Sequence, residues 1–329
     1  MTGLPAPRRI DVGQASDGTP IALSVHEQGE GPPVVFAHGF PELAYSWRHQ
    51  LPALAAAGFR AIAPDQRGYG GSSAPAAIDQ YGLTELTGDL VHLLDALELE
   101  KAVFVGHDWG GFVVWAMAVL HPERTAGVVG VCTPYAAMPP LEMMRMLVGG
   151  EDERFYILWF QPPGQAEGVL DGQVPLLFDR LMRGGVPIDQ LMARAFVDGK
   201  LDMNPFRRLS ELDPLGELVL QPDELQHYTD EFTRTGFRGG INWYRNIARN
   251  NREHPQIGQQ KLDLPCLMIT AEWDAALRPE MAAGMPSLCS DLETKMIARA
   301  GHWVQQEYPN ELNAVLVDWL RRRFGEGSR

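Results

Sequence analysis

Lys101-Ala102-Val103-Phe104-Val105-Gly106-His107-Asp108-Trp109-Gly110-Gly111 is the stretch from which the rest of the chain can be read. The run Ala102 to Val105 is short, apolar, β-branched and aromatic, and Gly106 bounds it, which predicts a buried strand. Phe112 to Leu120 is apolar and long enough for a helix that stops before Pro122. Between them, Gly-His-Asp-Trp-Gly matches the Gly-x-nucleophile-x-Gly elbow, with Asp108 where serine is usual. On such a strained turn, side chains at Gly106 and Gly110 would collide with the adjoining strand and helix. A carboxylate at Asp108 is ionised at neutral pH, so it needs no base before attacking an electrophilic carbon and leaving an ester on the protein. The plainer reading is a strand-to-helix turn with Asp108 as a helix cap; the remaining motifs decide between the two.

The chain has 329 residues, 45% of them hydrophobic, enough for one large α/β domain or a core with an insertion. A net charge of −14 argues against nucleic acid or an anionic membrane as partner. Cys132, Cys266 and Cys289 are odd in number and lack metal-ligand spacing, which predicts reduced thiols, a cytoplasmic compartment and no metal. Arg8-Arg9 is not followed by an apolar run, so no secretory signal is expected. No apolar stretch reaches the ~18 residues of a membrane helix.

Ile21 to Val25 alternates and predicts an edge or antiparallel strand; Pro33 to Ala37, Arg60 to Pro64 and Ala126 to Cys132 predict buried strands. Helices are expected from Tyr45 to Ala57 and around Leu86, Leu90, Leu93, Leu94 and Leu97. This alternation predicts a mostly parallel twisted sheet with helices on both faces. From Pro134 to Asn251 the strand signal disappears, then returns at Pro265 to Thr270 and Thr294 to Ala298, followed by a helix from Asn310 to Arg323. The reading is a core of residues 1–134 and 253–329 interrupted by a helical lid at 135–252.

Six segments together resemble the α/β-hydrolase fold and, within it, the soluble epoxide hydrolases. They are His38-Gly39-Phe40-Pro41-Glu42, Arg67 to Ser73, Gly106 to Gly111, Gly236 to Asn246, Thr270-Ala271-Glu272-Trp273-Asp274 and Gly301-His302-Trp303. The chain order nucleophile, acid, histidine gives Asp108, Asp274 and His302. Glu272 and Asp263 are rivals for the acid. The resemblance implies His302 as the base that activates water, Asp274 as its support, and the backbone N–H groups of Phe40 and Trp109 as an oxyanion hole. It also implies two lid tyrosines that assist the departing epoxide oxygen. Alignment puts these at Tyr156 and Tyr228, with Tyr244 expected to pack. Phe40, Trp109, Trp159, Phe160 and Met143 to Met146 are candidates for an apolar substrate pocket. His107 and His38 read as structural. The implied reaction uses an epoxide and water, with no cofactor and no metal; a homodimer is the one candidate assembly. Two other readings compete. A haloalkane dehalogenase would share Asp108, His302 and Asp274 and bind halide through Trp109 with Trp159 or Trp243, but that pattern has a polar residue where Phe40 stands. A non-catalytic receptor would not need the full set.

Overall fold

Each core strand sends alternate side chains to opposite faces, and here both faces are apolar. Val35 and Ala37 join one hydrophobic cluster while Val34 and Phe36 join another. Ala102 and Phe104 divide from Val103 and Val105 in the same way, as do Cys266 and Met268 from Leu267 and Ile269. A computed structural model, which describes residues 4–325, builds these runs into one sheet.

Its strands are β1 (Arg8–Gln14), β2 (Pro20–Gln28), β3 (Pro33–Ala37), β4 (Arg60–Asp65), β5 (Ala102–His107), β6 (Thr125–Val131), β9 (Leu262–Ala271) and β10 (Cys289–Ile297), with β7 (Phe196–Val197) and β8 (Lys200–Leu201) forming a separate hairpin. The order across the main sheet is β1-β2-β4-β3-β5-β6-β9-β10. β2 runs antiparallel to both β1 and β4; every pairing from β4 to β10 is parallel. One face is covered by α1 (Gln50–Ala56) and the final helix Pro309–Phe324, the other by α2 (Leu83–Ala96) and α3 (Trp109–Leu120). Between β6 and β9 a helical lid sits over the carboxyl ends of the parallel strands, where open α/β sheets build their sites.

Three local departures from the sequence reading have physical causes. β1 was not expected because only Val12 of its seven residues is buried, so it carries no alternating signal. The helix expected from Tyr45 to Ala57 is a 3₁₀ turn, Ala44–Trp47, followed by α1. A continuous helix would drive the Pro52 ring into the Arg48 carbonyl, whereas Pro52 fits the first turn of α1. In the lid, β7 and β8 are joined by Asp198-Gly199, both at positive φ (52° and 73°), a two-residue hairpin turn.

Candidate active site

The elbow between β5 and α3 holds Asp108 at φ 50°, ψ −121°, a conformation that costs a non-glycine residue energy and survives only where the surroundings enforce it. The enforcement is steric closeness. A Cβ on Gly106 would lie 2.2 Å from the Gly110 carbonyl oxygen, and one on Gly110 would lie 2.0 Å from that of Ala37. β3 ends beside the elbow, and the Phe40 N–H donates to Asp108 Oδ1 at 2.8 Å. The Trp109 N–H also bonds the carboxylate. Burial raises the Asp108 pKa above its usual value, although the His302 and His107 rings and these two N–H groups pull it down.

β9 delivers Asp274 and β10 delivers His302 to the same edge. His302 Nε2 is 3.8 Å from Asp108 Oδ2, and its Nδ1 is 2.9 Å from Asp274 Oδ2. Asp274 is fully buried, and its Oδ1 accepts the N–H groups of Ala276 and Leu277 at 2.8 and 2.9 Å. Burial alone would raise its pKa, but His302 and the Leu277 N–H hold it at about 2. His302 shows the converse: burial lowers it, and the charges of Asp274 and Asp108 overcome that to lift it to about 9. Glu272 is turned elsewhere, accepting the Arg299 N–H, and Asp263 bonds Ser290.

Two phenols, Tyr244 buried and Tyr156 partly buried, lie above Asp108. Tyr156 and Tyr244 have ring centroids 5.7 Å apart, and Tyr244 lies 5.3 Å from Phe40 and 5.1 Å from Trp109. Burial and the Asp108 charge raise the Tyr156 pKa, while a hydrogen bond from Tyr244 draws it back. Tyr244 is raised well above the usual phenol value by burial, with Tyr156 and Asp108 adding to it. Both therefore stay protonated at neutral pH.

Tyr228 is a correction. Its hydroxyl lies 2.7 Å from Ser46 Oγ and its ring packs on Phe178, 5.2 Å away; the charges nearest in effect are those of Arg48 and Glu42. The helix Pro222–Thr235 turns this side chain down onto the 3₁₀ turn of the core, away from the space above the elbow. Tyr244, which sequence alone predicts to pack, is the tyrosine that stands beside Tyr156 and over Trp109. The pocket candidates also divide. Phe40, Phe160, Phe206 and Tyr244 pack ring against ring. Trp159 is buried one ring further out, against Phe160. Met143 and Met146 are 56% and 80% exposed, so they do not line an enclosed pocket, and Met144 packs in a small lid cluster.

The sequence reading missed Glu42 as a partner in the site. It is fully buried and accepts the Gly39 N–H at 2.7 Å, and its Oε2 lies 2.8 Å from His107 Nδ1. The other His107 nitrogen lies 2.7 Å from the His302 carbonyl oxygen. His107 thus bridges Glu42 and the His302 carbonyl and braces the His302 loop against the Gly39-Phe40 loop. Burial would raise Glu42, yet His107 holds it at about 2. Its signal was the spacing of a buried acid two residues past Phe40, which no simple pattern marks. His38 accepts the Gln66 N–H on Nε2 and donates from Nδ1 to the Gly39 carbonyl, a brace for the same loop. The ligand-type atoms of His107, Cys132 and His302 lie within 4.8 Å of one another, but the imidazole nitrogens on that side are already engaged with Glu42, Asp274 and the His302 carbonyl.

Sheet order, elbow and the three side chains meeting at the strand ends define a hydrolase with the α/β-hydrolase fold, and the family of that description matches residues 32–309. The chain is 45% identical to epoxide hydrolase A of Mycobacterium tuberculosis over 97% of its own length and 98% of that protein's. It is 39% identical to bifunctional epoxide hydrolase 2 of Sus scrofa, covering 91% of this chain and 53% of that one. The crystal structure of epoxide hydrolase A from Mycobacterium thermoresistibile superposes with a TM-score of 0.83 at 44% identity, covering 96% of this chain and 98% of that one. The chain belongs to the epoxide hydrolase family.

Proposed function

We propose that this enzyme converts an epoxide and water to a vicinal diol through a covalent ester on Asp108. The observation that carries the reading is the pair of phenols, Tyr156 and Tyr244, 5.7 Å apart by ring centroid and both acted on by the Asp108 charge. Epoxide opening leaves an alkoxide, which departs poorly unless a proton is supplied, and a neutral phenol supplies one. Oδ1 of Asp108 is held by the Phe40 N–H, leaving Oδ2 to attack the ring carbon as the C–O bond breaks. A phenol protonates the released oxygen. Water then loses a proton to His302 Nε2 and attacks the ester carbonyl, and the N–H groups of Phe40 and Trp109 stabilise the oxyanion. Collapse returns the carboxylate and releases the diol, and the proton held by His302 passes back to the phenolate, so that phenol and base are both restored.

Esterification also removes the Asp108 charge, one of the influences lifting His302 to about 9. The imidazole therefore becomes easier to deprotonate at the step where a base is needed. Halide capture draws less support: the Trp243 indole donates to the Arg67 carbonyl at 3.2 Å, and Trp109 is engaged with Tyr244. The same proposal takes residues 135–252 as the lid over a core of 1–134 and 253–329. Free, buried cysteines support a cytoplasmic location, and sedimentation analysis tests the homodimer. Exchanging Asp108 for Asn tests the activity itself: diol formation from styrene oxide is lost, whereas retained turnover would remove the nucleophile.

A further inference from the structure

Glu307 ends the short helix Val304–Glu307, five residues past the base. Its carboxyl spans two segments of chain: Oε1 accepts the Gly185 N–H at 2.8 Å, and Oε2 accepts the Gly301 N–H at 2.7 Å. Gly185 lies between lid helices, while Gly301 immediately precedes His302. The two glycines are in backbone contact. A Cβ on Gly185 would lie 2.5 Å from the Gly301 nitrogen, and one on Gly301 would lie 2.5 Å from the Gly185 nitrogen. On the other side of His302, the Trp303 indole donates to the Leu181 carbonyl at 2.6 Å. The loop carrying the imidazole is thus fastened to residues 181–185 of the lid both before and after the ring. Burial pushes the Glu307 carboxyl above its usual pKa, and the two N–H groups oppose this.

We propose that Glu307 is a positioning residue that clamps lid segment 181–185 to the Gly301-His302 loop, so that the base is aligned only while this edge of the lid is docked. This rests on His302 acting as the base. The lid edge at 181–185 is then part of the base's support, and substrate enters past another edge. Losing two hydrogen bonds to a charged acceptor lets the ring wander, and displacements of about an ångström cost catalytic steps heavily.

Rapid-quench mass spectrometry with styrene oxide, run on the full-length protein, separates the two chemical steps. Glu307→Ala should slow ester hydrolysis roughly ten-fold while alkylation of Asp108 stays within about two-fold, so the alkyl-enzyme builds up. Glu307→Gln keeps the size but places an amide N–H against one of the N–H donors. It should show the same split, and it carries the test if the alanine variant does not fold. Glu307→Asp should restore part of the hydrolysis rate. An unchanged hydrolysis rate, or both steps falling together with the melting temperature, would overturn the clamp. If His302→Gln itself fails to accumulate alkyl-enzyme, the base assignment has failed; if it accumulates and the Glu307 variants do not, only the clamp has.

Discussion

His302 stands between two carboxylates that it serves at different moments. Asp274 lies 2.9 Å from its Nδ1 and Asp108 3.8 Å from its Nε2; in the proposed reaction Asp108 is charged before attack and neutral as an ester. Removing the base should therefore stop the second half of the reaction and spare the first. His302→Gln is expected to accumulate an alkyl-enzyme whose mass is raised by that of one epoxide, read by intact-protein mass spectrometry; no adduct would remove the base from its role. The same electrostatics enter stability. A folded-state pKa of about 9, above the ordinary 6.5, gives a contribution fully present below pH 6.5 and lost as pH rises through 9. Asp274, held at about 2, contributes above its ordinary 3.8 and loses that contribution only as pH falls through 2. Between about pH 6 and about pH 9.5, wild type should thus lose stability relative to His302→Gln, by at most about 3 kcal/mol. Denaturant titrations at the two pH values measure it.

The phenols divide by the elements that carry them. On the helix Pro222–Thr235, Glu224, Tyr228 and Phe232 recur every four residues and share one face. That face docks on the core: Arg48 pairs with Glu224 at 2.6 Å, Tyr228 meets Ser46, and Phe232 lies edge-on to Tyr69 with ring centroids 6.3 Å apart. Tyr228→Phe should accordingly cost about 1 kcal/mol of stability and leave epoxide opening within about two-fold. Tyr244→Phe and Tyr156→Phe should each slow alkylation by roughly ten- to a hundred-fold. Pre-steady-state alkylation rates decide, and a large loss with Tyr228→Phe would restore the first assignment. Spacing within the motif could not separate these tyrosines, because both stand on amphipathic lid helices. What separates them is which face meets the core, and that depends on how the helices cross. A further element lock joins the loop after β4 to α2. Arg67 grips Asp89 with two hydrogen bonds of 2.7 and 2.5 Å, and both side chains are about 95% buried. Arg67→Met should destabilise by about 3–5 kcal/mol by leaving a buried carboxylate without its partner, measured by thermal or denaturant unfolding.

Across the whole molecule, the inner parallel strands were readable because they are buried on both faces and so appear as apolar runs, whereas the edge strand β10 is largely exposed. The elbow and Asp274 stand just past such runs, and the structure brings Asp108, Asp274 and His302 together at the strand ends. The exposed strand β1 and the two-residue β7–β8 hairpin left almost no apolar trace, and the second phenol was misplaced for want of helix orientation. Glu42 was hidden because its role lies in a contact with His107, sixty-five residues away. In the proposed reaction the central event is the transfer of one oxygen of Asp108 to an epoxide carbon. That transfer is read most directly by a single turnover with enzyme in excess in ¹⁸O-labelled water. The diol should carry only unlabelled oxygen, with the label entering Asp108; label in the first diol would mean that water attacks the epoxide directly and would contradict the covalent ester.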